Sequence, residues 1–269
     1  SGIYYSNLAP STPVTSNTPQ VGISYSGNQA TANGATAATT TAGDPVNMLT
    51  GNFYHAESDL AIKGRGGLAF VFERSYNSLG PKDGPLGHGW THSFNQALNC
   101  YGIESNRVKI GWIDGSGAER FYALTGTTVP NGSTFEAVQG NYNVLTRQAD
   151  GTYRIQERNG LAYTFESTAA TTAAQRCAKL TRIVDRNGNA LTLSYNTAGQ
   201  LSQVVDGLDR ALVFTYSGTH LTQLTDWSGR KWIYEYDDNG NLLKAMFANG
   251  VCLLTTSNTA PANLYRNGL

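Results

Sequence analysis

The chain has 269 residues and a formal net charge of zero, and only 14% of its residues are charged, well under the ~25% usual for soluble domains. Zero net charge leaves no long-range field to gather nucleic acid or an anionic membrane, and no apolar run approaches the ~18 residues of a spanning helix. The length is enough for one large β domain or two closely packed ones with ample core, and Ser1 in place of Met suggests a trimmed mature chain.

Residues 1–43 contain no Asp, Glu, Lys, Arg or His. Their Ser/Thr/Ala-rich composition is that of a linker, yet two pieces alternate like strands: Ile3-Tyr-Tyr5 and Val21-Gly-Ile23-Ser-Tyr25. They carry none of the edge-blocking lysines that natural sheets use against unwanted pairing. Ile3, Tyr5, Val21, Ile23 and Tyr25 are therefore candidate assembly contacts, suited to adding a strand to a sheet edge of a neighbouring copy. The alternative is that this leader folds back on its own domain.

From residue 44 to 99, glycines at 64, 66 and 67 interrupt β-rich runs, and Leu68-Ala-Phe70-Val-Phe72 reads as a buried strand. Gly84, Pro85, Gly87 and Gly89 predict a loop presenting His88, Trp90 and His92. From Asn106 to Glu166, turn signals at Asp114-Gly115, Asn131-Gly132, Asp150-Gly151 and Asn159-Gly160 predict hairpins of loose period. Thr168 to Arg176 is the one candidate helix.

Regular repetition begins at Lys179. Units start at Leu180, Leu201 and Leu221, a period of 21 and then 20 residues. Five places after each leucine stands Asp185, Asp206 or Asp226; eight places after it, Gly188, Asp209 or Gly229; fifteen places after it, Tyr195, Tyr216 or Tyr236. Within each unit apolar residues alternate, as in Leu191-x-Leu193-x-Tyr195, Leu212-x-Phe214-x-Tyr216 and Trp232-x-Tyr234-x-Tyr236. Period two is the mark of a strand with one buried face. Each unit is predicted to be two short strands and two turns, one rung of an antiparallel ribbon that depends on its neighbours for a core. A fourth unit from Leu242 keeps Gly250 but carries Phe247 and Ser257 where Asp and Tyr would stand.

The run Tyr236-Asp-Asp-Asn-Gly240-Asn-Leu242 resembles the RHS/YD-repeat family. So do, upstream, Gly43-Asp-Pro-Val-Asn-Met-Leu-Thr-Gly51-Asn52, Phe72-Glu-Arg-Ser-Tyr76-Asn77 and Gly84-Pro-Leu-Gly-His-Gly-Trp90-Thr-His92, which are similar to the domain that precedes such repeats. The resemblance implies an all-β fold, with antiparallel hairpin repeats building a continuous curved or spiral sheet of the β-shell type. It divides the chain into the leader (1–43), an RHS-type β domain (44–178), the repeat array (179–257) and a tail (258–269). Family members form shells, often around a C-terminal toxin, or adhesive surface proteins. Three and a half units are fewer than such a shell needs. Neither the self-cleaving aspartate segment nor a toxin is found in this sequence, so the resemblance implies the family's building material without its cargo.

The residues offer little chemistry. His88 and His92 lie four apart beside Trp90, but glycines and a proline argue for a loop, and no acidic third ligand is near; they read as packing histidines. Glu57 and Asp59 share a strand face, which reads as solvated rather than as a glycosidase pair. The stacked aspartates 185, 206 and 226 suit turn capping better than a calcium ladder. Gly64 to Gly67 lacks the Gly-Lys-Ser/Thr of a phosphate loop. No catalytic residue, metal or cofactor is expected. Cys100, Cys177 and Cys252 allow three pairings or none. The expected function is a secreted, non-catalytic structural module that assembles with copies of itself. The alternatives are the front part of a toxin-enclosing shell, partnered by further shell segments, or a module binding cell-surface glycans.

Overall fold

The computed structural model describes residues 51–64, 68–80, 83–138, 140–168, 175–247 and 251–255. Among them are 18 strands and no helix. Three strands, β1 (Tyr54–Ile62), β2 (Phe70–Asn77) and β3 (Trp90–His92), form a small antiparallel sheet. Alternation along β2 buries Phe70 and Phe72 and exposes Val71 between them, so the strand begins with one buried face; toward its end Ser75 and Asn77, on the side of Val71, are buried as well. The loop after it presents His88, whereas Trp90 and His92 belong to β3 and are buried. Only part of the expectation for that loop holds, because β3 pairs with β2 and turns both rings into the core.

The second sheet starts with β4 (Ala97–Glu104), β5 (Arg107–Ile113), β6 (Glu119–Thr125), β7 (Thr134–Ala137), β8 (Val144–Arg147), β9 (Tyr153–Gln156), β10 (Ala162–Ser167) and β11 (Gln175–Val184), each antiparallel to the next. The ring then closes, since β11 also pairs with β4, Arg176 opposite Asn99 and Ala178 opposite Leu98. These eight strands form a closed barrel. Leu98, Ile110, Tyr122, Leu145, Ile155 and Phe165 fill it and are wholly buried. Burial of each such side chain contributes about 1.5–3 kcal/mol. Cys177 is the extra residue where the β4–β11 register shifts, and it forms a disulfide with Cys100 across that seam. The described end of the candidate helix, Gln175 and Arg176, is strand. Pairing with β4 on one side, and the Thr168 hydroxyl donating to the Arg176 carbonyl on the other, hold it extended against its local composition.

Seven strands continue from β11 in chain order: β12 (Ala190–Tyr195), β13 (Leu201–Asp206), β14 (Ala211–Ser217), β15 (His220–Asp226), β16 (Lys231–Tyr236), β17 (Leu242–Phe247) and β18 (Val251–Thr255). Leu191, Leu193, Leu212, Phe214, Trp232 and Tyr234 turn to the buried face. Each rung repeats one irregularity. The register shifts at Tyr195, Tyr216 and Tyr236, leaving Ser202, Thr222 and Leu243 as the extra residues. The Ser202 and Thr222 hydroxyls donate to the Ser194 and Thr215 carbonyls. A bulge at a fixed place in every rung adds local twist, and repeated twist curves a sheet. The small sheet lies against the buried face of this array, with Phe72 5.9 Å from Phe214 and 6.2 Å from Tyr234, ring centroid to ring centroid.

Candidate functional site

The most unusual chemistry in the molecule lies where the two sheets meet. Arg74 is on the inward phase of β2 and its side chain is 0% exposed, beside an Asp59 side chain that is 1% exposed. A β-bulge between Ser58 and Leu60 puts Asp59 out of register and aims its carboxylate at the guanidinium. Arg74 Nε donates to Oδ2 at 2.6 Å and Nη2 to Oδ1 at 2.8 Å, a bidentate pair. From the repeat array, the Tyr234 hydroxyl donates to the same Oδ2 at 2.8 Å. The guanidinium carbon also stands 5.3 Å from the centre of the Trp90 ring, a cation–π contact. Asp59 is thus buried and paired. The expectation of a solvated face fails there, because Glu57 stands opposite the inward-facing Arg74, so the face that Glu57 and Asp59 share is turned to the core, fully covered at Asp59 and partly open at Glu57.

Burial works against the Arg74 charge, but hydrogen bonds to Asp59 and the Asp59 charge outweigh it and raise the guanidinium above its ordinary pKa. Burial first, and then the Asp59 charge, push the Tyr234 phenol well up, so it remains a neutral donor. His92 is directly opposite Arg74 on β3 and stacks on Phe72 at 5.0 Å. Burial, with the charge of Arg176 acting in the same sense, lowers its pKa to about 3, so it is a neutral packing ring at ordinary pH. Both Asp59 oxygens are engaged, and Glu57 faces His55 at 3.0 Å near the sheet edge. This arrangement holds charge in place.

The repeat positions fall in equivalent places along the array. Leu180, Leu201 and Leu221 are buried, while Tyr195, Tyr216 and Tyr236 are half-buried beside them. The Tyr195 and Tyr236 hydroxyls donate at 2.6 Å to the carbonyls of Leu180 and Leu221, the leucines that open their own units. Asp185, Asp206 and Asp226 each accept two backbone N–H groups of their own turn through Oδ1. The donors are Asn187 and Asn189, Leu208 and Arg210, and Ser228 and Arg230. Oδ2 takes the Asn189 amide, the Arg210 guanidinium and the Arg230 guanidinium in turn. Burial pushes the Asp226 pKa up, yet the hydrogen bonds from Ser228 and Arg230 prevail and hold it below the usual carboxylate range. These carboxylates close turns and do not converge on a shared point. Gly188, Asp209 and Gly229 all have positive φ, 83°, 57° and 84°, the conformation that closes such a turn.

Among the described residues, no group of three His, Cys, Asp or Glu side chains is arranged to hold a metal, and no helix is long and apolar enough to cross a membrane. Ile3, Tyr5, Val21, Ile23 and Tyr25 lie outside the described residues. Sequence reasoning missed Arg74 and Tyr234. The available signal was an arginine on the inward phase of Phe70-x-Phe72-x-Arg74-x-Tyr76, where a charge requires a buried partner.

Comparison with known proteins places this architecture in context. Residues 43–122 match a family model described as a domain of unknown function, DUF6531, and residues 129–262 match the teneurin YD-shell model. The chain is 30% identical over 226 residues to the tRNA nuclease WapA of Bacillus subtilis strain 168 and, to the same extent, to the tRNA(Glu)-specific nuclease WapA of Bacillus subtilis subsp. natto. The aligned part is 76% of this chain but spans only 9% of the length of each relative.

Proposed function

This chain belongs to the RHS/YD-repeat family, and from that premise we propose that it is a non-catalytic wall segment of a YD-repeat shell that works outside the cytoplasm. The observation that carries the reading is the array itself. Fifteen strands pair in one sheet, their inward side chains packed as core, with each repeat aspartate closing its own turn. The Cys100–Cys177 disulfide favours an oxidising compartment. Strand pairing is how such a wall is extended. The partners on this reading are further YD-repeat strands, including those of other copies, with the leader segments around Tyr5 and Tyr25 as donors.

The nuclease in the relatives' names belongs to proteins of which this chain spans a small part. A chain with zero net charge carries no overall positive field to gather tRNA. One preparation tests both sides of the reading. Purified chain incubated with total tRNA and Mg2+ is expected to leave the RNA intact on a denaturing gel, and the number of copies per particle, from mass in solution, to fall when residues 1–26 are deleted. RNA cleavage that the Glu57→Gln or His92→Phe variant loses while keeping its melting temperature would overturn the structural reading. An unchanged number of copies would remove the leader as the assembly element.

A further inference from the structure

We propose that His88 is a protonated clamp, an imidazolium whose two N–H groups fasten the loop before β3 onto the turn between β16 and β17, so that docking of the small sheet tightens in mild acid. The loop is held by contacts that depend on its shape. The Pro85 carbonyl accepts the Leu221 amide at 2.7 Å. Gly87 has φ +86°, and a Cβ there would stand 2.2 Å from the Gly240 carbonyl oxygen. That approach brings His88 over the turn, with Nε2 2.9 Å from the Asn239 carbonyl and Nδ1 3.0 Å from the Asp83 carboxylate.

A backbone carbonyl and an ionised carboxylate can only accept. A neutral imidazole has one N–H and one acceptor nitrogen, so it can satisfy one of these partners and must face the other with a lone pair. Both bonds together require the proton. The surrounding charges decide whether it stays. Asp83 faces His88 from its own loop, and Asp237 bears on it from the turn, where its carboxyl accepts the Asn239 and Asn241 amides. His220 stacks on Tyr236 at 4.6 Å and lies against Gly240 on the far side of the turn. Among the described residues, the two carboxylates that bear on the ring, Asp83 and Asp237, favour its charged form against one further imidazole. The bonds are therefore complete below the imidazole range, and as pH rises through it one is lost.

His88 is 43% exposed, so the effect is modest and must be read locally. In the full chain, the His88 Cε1 proton is expected to titrate above the ordinary ~6.5, and Asp83→Asn to bring it back toward that value. Hydrogen exchange at the Leu221 amide, corrected for its intrinsic pH dependence, reports loop docking. Its protection is expected to fall roughly two- to five-fold between about pH 5 and pH 8, the span of an exposed ion pair. His88→Gln, which cannot charge, is expected to abolish that pH dependence and leave the fold intact. A His88 titration at or below ~6.5, or Leu221 protection with the same pH profile in wild type and His88→Gln, would refute the clamp.

Discussion

Replacing Asp59 with Asn changes the shape of the buried pair hardly at all and its electrostatics completely. Asp59 receives three donors, Arg74 Nε at 2.6 Å, Arg74 Nη2 at 2.8 Å and the Tyr234 hydroxyl at 2.8 Å. Asn keeps one acceptor oxygen and turns an NH2 toward N–H groups that need acceptors. The Arg74 charge then stays fully buried without compensation, a change expected to cost about 3–5 kcal/mol. Out of a total stability of about 5–15 kcal/mol, that is enough to detach the small sheet. Tyr234→Phe removes only one hydrogen bond to a charged group and is expected to cost about 1.5–3 kcal/mol. The double variant Asp59→Leu/Arg74→Met replaces the pair with apolar volume, so its cost is expected to fall well short of the two single costs added together. Urea unfolding followed by tryptophan fluorescence measures all of these, because Trp90 lies over the Arg74 guanidinium. Hydrogen exchange adds the location: protection is expected to be lost first in β1 to β3 and to persist in β12 to β17. An Asp59→Asn cost under about 1 kcal/mol, or single costs that simply add to the double, would show that the pair is not the fastening described.

Two further outcomes follow from the same structure. The His92 ring, with its pKa lowered to about 3, takes up a proton in the unfolded chain near 6.5 but not in the fold. Its contribution is complete above ~6.5 and is lost on acidification toward about 3, with a slope approaching 1.4 kcal/mol per pH unit; His92→Phe should remove that slope from urea midpoints taken between about pH 7 and 4, and identical pH profiles would contradict it. Asp209 occupies with φ 57° the place that glycine holds at 188 and 229; Asp209→Gly is expected to stabilise by about 0.5–1 kcal/mol, relief of left-handed strain exceeding the added chain entropy, and a lowered melting temperature would count against it.

What the sequence shows of the fold is the part built by local rules. Leu191, Leu212 and Trp232 recur at the repeat spacing, the alternation around them sets the inward face, and Asp-x-x-Gly closes the turns without help from distant residues. The seam between β4 and β11 is another matter. It joins Cys100 to Cys177 over 77 residues, and three scattered cysteines carry no record of which pair meets. Residues 168–176 resemble a helix only until the ladder partners of Gln175 and Arg176 are known. The same limit applies at the site. Strict alternation puts Glu57 and Asp59 on one side, and only the pairing with β2, which sets Glu57 opposite Arg74, shows that this side faces the core. Arg74 stood in plain view within an aromatic alternation, but its partner came from the bulged strand and its third contact from 160 residues further along the chain.

The position of that third contact explains why a charge is tolerated in an otherwise apolar interface. A repeat array offers the same surface again and again: Leu193, Phe214 and Tyr234 each lie thirteen residues after the leucine that opens their unit, and all three are buried on the same face. An apolar sheet laid against such a surface gains similar area at each rung, because hydrophobic burial is non-directional. Phe70 and Phe72 alone would distinguish poorly between neighbouring placements. The Arg74–Asp59 pair removes that degeneracy. Its free acceptor capacity must meet a donor, and of the three equivalent positions only Tyr234 carries a hydroxyl. Sliding by one rung would face the carboxylate with Phe214, which has nothing to give, and leave a buried charge short of a hydrogen bond. The ion pair adds little to the total stability compared with well-packed hydrophobes; what it supplies is the choice of rung.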